Sequence, residues 1–420
     1  MNHPEQWDWD SSRKAIPVAS WNDHYEWVEE PQASPDGESV AAIANCGEGE
    51  FKVVVNGAAW ENPFEKIWHL RFSPDGRLTA VVSDSGEWTL AIDGVPWENR
   101  FGFVWEPRFS PDGKSVAVKF QQDMQYGMVL NDTPWEATFA NMTNAAISPD
   151  GTRTAAVVQV VNFGEADVFT FQKGAFTAAA DGIAWDRAFV NVWNMAFSPD
   201  GSTLAAEVRL TLYDYTIAVN GAPWERTFNC VWEPVFDPNG GSVIAPVRQE
   251  GQWKLLRDGA AFWDRSFVQL WQPRFSPDGS RVAAIVAPSY GRWAIAVDGN
   301  PWRTEFTDLM SDLVFSPDGR RAAAVGKSGS AYHVVVDDAV WPGSFDMAWR
   351  PVFSPDGRQA AAKVERNGKL TYAVDGRLWN EAAETAWDPV FSPDGRKLML
   401  RTIQNGSYIR RVLPVSDIAA

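Results

Sequence analysis

Residues Phe72–Gly76 read Phe-Ser-Pro-Asp-Gly, the end of a strand running into a tight turn. Proline presets φ at about −65° for the second turn position, Asp tolerates the third, and Gly accepts the left-handed conformation that closes the turn. The Ser-Pro-Asp-Gly tetrad starts at Ser34, Ser73, Ser110, Ser148, Ser198, Ser276, Ser316, Ser354 and Ser392, and a tenth, altered copy stands at Asp237-Pro238-Asn239-Gly240. Successive copies are 39, 37, 38, 50, 39, 39, 40, 38 and 38 residues apart, so the chain is a tandem array and not a mosaic of unrelated domains.

The copy around Ser110 shows what one unit contains. Pro107–Ser110 is a short strand and Ser115–Phe120 a second one rich in β-formers; a variable loop at Gln121–Gln125 leads to a third strand, Tyr126–Leu130. Asn131-Asp132 then turns the chain into a fourth strand beginning Pro134-Trp135. In other copies that turn is Asn56-Gly57, Asp93-Gly94, Asp181-Gly182, Asn220-Gly221, Asp298-Gly299 or Asp375-Gly376. These pairs are strong hairpin signals, because both central residues must take positive φ. Four antiparallel strands in about 39 residues, repeated, is the sequence form of a propeller blade. The fold expected is all-β: a single β-propeller of about ten four-stranded blades, closed by pairing of N- and C-terminal strands.

Closure is read from the ends. The repeat begins in mid-unit at Trp21, and the C-terminus stops after a third strand at Tyr408–Leu413, so the two ends complete one blade and the propeller spans residues 21–420. Residues 1–20 read as an N-terminal extension. The fifty-residue spacing places its extra length between a second and a third strand, at about 159–175, where Phe163, Phe169 and Phe171 alternate with polar residues; a longer hairpin arm is expected there.

Among 420 residues there are 37 basic and 54 acidic ones, a net charge of −17 with no Lys/Arg stripe, which disfavours nucleic acid and anionic membrane surfaces as partners. Cys46 and Cys230 are too few and too far apart for a disulfide framework or a Cys-x-x-Cys metal or haem site. The chain starts without a basic stretch followed by an apolar run, and no apolar segment reaches the roughly 18 residues of a spanning helix, so a cytoplasmic protein with no membrane insertion is expected. No nucleotide-binding glycine motif and no haem motif occurs, and no cofactor or metal is expected. The aspartates of the repeated turn, such as Asp75, Asp112, Asp278 and Asp394, are accounted for by turn chemistry.

Tryptophan is the unusual residue, with 23 copies. One set (Trp21, Trp60, Trp97, Trp135, Trp185, Trp224, Trp263, Trp302, Trp341, Trp379) lies thirteen residues before the turn serine, or fourteen for Trp302, and is expected to pack blade on blade. A second set (Trp68, Trp105, Trp193, Trp232, Trp271, Trp349, Trp387) lies five before it, placed by the strand reading in the connection between blades. Two readings of this second set stay open: structural packing, or an exposed docking surface, because Trp is enriched in interface hot spots. With Phe163, Phe169 and Phe171 they are the candidate partner-docking residues. No catalytic residue is assigned.

The Phe-Ser-Pro-Asp-Gly turn with the Asp-Gly hairpin resembles the WD40-like β-propeller repeats of the periplasmic translocation propeller and its bacterial relatives. The motif Asp-Gly-x-Pro-Trp-Glu, at Asp93–Glu98 and in variant form at Asn220–Glu225, resembles more narrowly the tryptophan-rich propeller subunit of the transmembrane cytochrome c redox complex of sulfate-reducing bacteria. The narrower resemblance implies a cofactor-free scaffold at the inner face of the membrane, whose partners are protein subunits of a membrane redox complex. A soluble ligand- or glycan-binding propeller and a propeller hydrolase or lyase are the alternatives.

Overall fold

The computed structural model describes residues 4–163 and 167–418. It is a ten-bladed β-propeller of four-stranded antiparallel sheets. We number the blades 1 to 10 by the order of their repeated turns. Blade 3 is typical: Phe103–Phe109, Val116–Gln122, Gln125–Leu130 and Thr133–Pro134 pair in sequence order. The chain divides into two compact units. One holds blades 7 to 10 and blade 1 (Met1–Glu48, Val53–Ala59, Phe267–Ala420), and the other holds blades 2 to 6 (Gly49–Lys52, Trp60–Ser266).

In the nine Ser-Pro-Asp-Gly turns the serine is buried, and its hydroxyl donates to the aspartate two residues on, as Ser110 does to Asp112 at 2.6 Å. The same hydroxyl oxygen accepts the amide of the residue five further, Ser115 at 3.0 Å. The aspartate also accepts the amide of Lys114, so its lone pairs are used inside the turn. These bonds hold carboxylates such as Asp112, Asp318 and Asp394 below the usual range, the serine hydroxyl contributing most, and lower Asp200 and Asp278 to about 2. The hairpin turn is tied to the same place. Asp93, Asp181, Asp298 and Asp375 each accept the first amide of their blade's second strand, at Leu78, Thr154, Val282 and Ala360.

Second strands are buried on both sides, Val40–Ala44 without a break, because a blade meets a neighbour on each face. The tryptophans thirteen before the turn supply the large half of that packing, and alanines of the following blade the small half. Trp341 and Phe345 of blade 8 lie against Ala348, Ala360, Ala362 and Ala373 of blade 9; Trp135 of blade 3 lies against Ala145, Ala156 and Ala179 of blade 4. The indole also covers the next hairpin glycine: a Cβ on Gly94 would sit 3.2 Å from Trp60, and one on Gly221 3.2 Å from Trp185. The expected blade-on-blade role of this set is what its burial and contacts describe.

The repeated turns stack too. A Cβ on Gly113 of blade 3 would fall 2.3 Å from the Asp75 amide of blade 2, and the Arg77 guanidinium reaches across to the carbonyls of Gly113 and Lys114 at 2.6 and 2.8 Å.

Blade 10 is assembled from both ends of the chain, as expected. Its outer strand is Arg13–Ile16, pairing antiparallel with Ser407–Pro414, Arg13 opposite Arg411 and Ile16 opposite Tyr408. That strand lies ahead of Trp21, inside the segment read as an extension; Trp21 itself sits in a short 3₁₀ turn, Val18–Asp23, and is buried against blade 1. The two basic residues and half-exposed pattern of Arg13–Ile16 suit an edge strand but carry little hydrophobic signal.

The long insertion is not a hairpin arm. After Val160 and Val161 it carries a helix, Val168–Lys173, capped by the Asp167 side chain on the Thr170 amide; residues 164–166 lie outside the described residues. The alternation of Phe169 and Phe171 looks like a strand, but on a helix residues two apart face opposite ways. Phe171 turns to Phe163, which contacts Phe176, and Phe169 turns to solvent at 80% exposure.

Candidate docking surface

The seven tryptophans five before the turn do not lie in the connections between blades. Trp68, Trp105, Trp193 and Trp271 are within the first strand, and Trp232, Trp349 and Trp387 directly follow its first half. Each sits just before a break in the ladder: the register shifts after Trp68, Trp105, Trp193 and Trp271. The next residue takes a left-handed backbone at His69, Glu106, Asn194 and Gln272. A bulge adds one residue to the strand and re-aims its side chains. The strand therefore extends several residues ahead of its expected start at Pro107.

These indoles mostly meet the aromatic that opens their own blade's third strand. Trp193 stacks on Tyr215 (ring centroids 6.2 Å) and Trp232 on Trp253 (5.4 Å), Trp68 and Trp271 lie tilted against Trp88 (4.4 Å) and Trp293 (4.6 Å), and Trp105 and Trp387 meet Tyr126 (6.2 Å) and Tyr408 (5.8 Å) edge to face. Trp349 instead packs under the Lys363 ammonium at 4.8 Å. Six of the seven are half-buried, and Trp68 is 42% exposed. The set is thus neither fully core nor fully surface. Each indole rests one face on its own blade.

Blades 2 and 3 go further. Phe103 lies 5.8 Å from Trp68, 5.2 Å from Trp88 and 5.7 Å from Trp105, joining the two pairs into one strip: Trp68, Trp88, Phe103, Trp105, Tyr126. Phe103, Gln121 and Tyr126 form one row across three strands and, with Trp105, line a shallow groove of about 440 Å³. The sequence reading did not single out Phe103. Seven residues before the turn the other units carry Trp27, Lys66, Asn141, Asn191, Cys230, Gln269, Leu309, Met347 and Thr385, so a column-by-column reading exposes it as one of two aromatics there. Phe163, Phe169 and Phe171 stay with the insertion of blade 4, where Val160, Val161, Val168 and Phe169 are each exposed.

Blade 5 carries an ionisable group the sequence did not flag. Glu207, in the second strand opposite Trp193, is 5% exposed and accepts one hydrogen bond, from the Asn194 amide nitrogen at 2.9 Å. Burial, reinforced by Glu233, raises its pKa to about 7 against the opposing effect of Asn194. Cys46 is exposed, and Cys230 is half-buried, its thiol pushed up by burial and by Glu207. Among the described residues no three His, Cys, Asp or Glu side chains converge as a metal site, and no helix is long and apolar enough to cross a membrane.

No protein-family model matches the chain, and no curated protein matches it. Solved structures similar to it include a eukaryotic initiation factor (13% identity over 79% of this chain and 93% of that one, TM-score 0.46). Others are the Cps50 (Swd1) β-propeller domain of Myceliophteria thermophila (12%, 64% and 97%, TM-score 0.30) and TolB from Acinetobacter baumannii (14%, 73% and 78%, TM-score 0.29).

Proposed function

We propose that this chain is a non-catalytic interaction scaffold, and that within blades 2 to 6 the aromatic strip and the insertion of blade 4 form its docking surface. The observation that carries this reading is the five-ring strip ending in Trp68, 42% exposed, on a frame of paired strands. Trp88 is buried and anchors the strip, and the half-exposed Phe103, Trp105 and Tyr126 fixed on it lose little side-chain entropy on binding, which is why Trp and Tyr dominate interface hot spots. Loops on a rigid frame supply the rest of the recognition. The partners we propose are protein subunits of a membrane-associated electron-transfer complex, met on its cytoplasmic side, with this chain supplying no cofactor of its own. Support for that comes from the Asp-Gly-x-Pro-Trp-Glu motif at Asp93–Glu98 together with the acidic, tryptophan-rich composition.

The test is affinity capture from native membranes with the full chain and with Trp68→Ala. Haem- or iron–sulfur-containing subunits should be retained by the first and lost by the second. Capture of neither would end the redox-complex reading. A second reading, a glycan binder, is favoured by Gln121 beside the rings, since sugars stack on indoles and need a hydrogen-bonding edge. Saturable binding of an oligosaccharide that Trp105→Ala abolishes would put that reading first.

A further inference from the structure

We propose that the junction of blades 7 and 8 holds a small-molecule site for a planar aromatic ring carrying a phosphate or carboxylate group. The site is independent of the docking surface and lies beside the hairpin turns of blades 7 and 8. A cleft of about 490 Å³ opens there against Trp302, within the size range of ligand pockets.

The cleft follows from a change in the repeat. At most junctions the hairpin turn ends in glycine and the preceding blade's indole covers it, as Trp185 covers Gly221. At this junction the turn is Asp337-Asp338, and Asp338, at φ 69°, reaches back instead to accept the amides of Arg303 and Thr304 at 3.0 and 2.8 Å, as Asp132 does with Glu98 and Asn99 between blades 2 and 3. Trp302 also stands one residue further from its turn serine than its nine counterparts do. Trp302 and Asp338 both line the cleft.

Hydrogen-bond supply and demand around the cleft are unequal. The three carboxylates that line it have both oxygens engaged. Asp298 takes the Val282 amide and the Arg281 Nε, Asp337 takes the Ala322 amide and the Arg321 Nε, and Asp338 takes the two amides above. Two guanidiniums of the lining are not so engaged. Arg303 makes no side-chain hydrogen bond among the described residues, and Arg320 is 85% exposed with its nearest carboxylate, Asp318, at 3.8 Å. Guanidiniums held only by a long ion pair to Asp318 (Arg320) and by the charge of Asp338 (Arg303), beside an indole, match a flat ring stacked on Trp302 with an anionic group taken up by Arg303 and Arg320.

The probes are two pairs that differ in charge: adenosine monophosphate against adenosine, and nicotinate against nicotinamide, each titrated calorimetrically into the full chain, with inorganic phosphate alone as a further control. At least one anion should saturate, bind at least about tenfold more tightly than its neutral partner, and lose about tenfold or more on Arg303→Ala and on Arg320→Ala. Trp302→Phe should retain binding and Trp302→Leu lose it, with melting curves showing that each variant is folded. The proposal is overturned if neither anion saturates by about 5 mM, if the neutral partner binds equally, if phosphate alone binds as tightly as the ring-bearing anions, or if Arg303→Ala changes nothing.

Discussion

The phenolic hydroxyl of Tyr408 donates to the carbonyl of Gly37, 371 residues earlier in the chain, at 2.8 Å. It belongs to a set through which blade 10 holds the turn of blade 1. Arg401 donates to the carbonyls of Ser34 and Pro35, and the fully buried Arg410 to that of Asp36 and, nearer the N-terminus, that of Ser11. Arg410 also lies 3.3 Å from a Glu38 carboxylate oxygen.

Removing this anchor should be costly. Arg410→Ala removes the donor from the part-buried carbonyls of Asp36 and Ser11 and leaves a cavity, while Glu38 keeps Lys14, and we expect a loss of about 2–3 kcal/mol, read as a lower denaturant midpoint. Deleting residues 1–16 should go further, since it strips the outer strand from blade 10 and bares an edge. Unchanged melting and no added aggregation in the truncated chain would show that closure does not depend on that strand.

A pair of glycine substitutions separates backbone strain from packing. Gly368 has positive φ and open space around it, so Gly368→Ala should lose only the conformational term, about 1–2 kcal/mol. Gly113→Ala adds a collision with the Asp75 amide, and its loss should exceed that of Gly368→Ala by about 1–3 kcal/mol. Equal losses in urea titrations would mean that the stacked turns are not in firm contact.

Glu207 predicts an alkaline sensitivity. Its folded pKa, about 7, is raised above the ordinary 4.5, so the folded state keeps a proton that the unfolded chain releases. Stability is then greatest below about pH 4.5 as far as this group is concerned, falls as pH rises toward 7, and is lower by on the order of 3 kcal/mol above that. Glu207→Gln should flatten this slope and stabilise the protein at pH 8. A wild-type and variant that melt in parallel from pH 5 to pH 8 would refute it.

Replacing residues 162–173 with a four-residue turn should leave stability within about 1 kcal/mol, because the helix buries none of its residues and the strands that flank it end at Gln159 and begin at Phe176. Partner capture should fall. Full capture by the shortened chain would confine the docking surface to the strip.

What could be read from the sequence was whatever repeats. Ten turns and nine hairpins define strand order and blade count, because turn residues act locally and the same solution recurs. The features that escaped are those written once or decided by tertiary contact. Arg13–Ile16 becomes a strand because Ser407–Pro414 offers an unpaired edge, not because its own pattern demands it. The phenylalanines of the insertion alternate like a strand, yet Phe169 and Phe171 lie on the helix that Asp167 caps. The bulge after each tryptophan arises in the first strand's pairing with the second, so sequence spacing placed Trp68 and its counterparts in a connection. The strip depends on Phe103 alone to bridge two blades, and a single residue carries no periodicity.

The stacked turns have a consequence for how the chain finds its fold. Junctions built from one recurring contact, an indole on the next blade's small residues, discriminate poorly between the correct neighbour and a blade one unit away. A collapsed chain that skipped a blade would satisfy many of the same contacts. The junction of blades 10 and 1 differs in degree: an internal junction such as that of blades 2 and 3 places one arginine on the next turn's carbonyls, whereas Arg401, Tyr408 and Arg410 together meet Ser34–Gly37. That junction is therefore a register check: misassembled intermediates would be rejected only when the two ends meet, late in folding, and variants there would slow refolding more than they alter the finished blades.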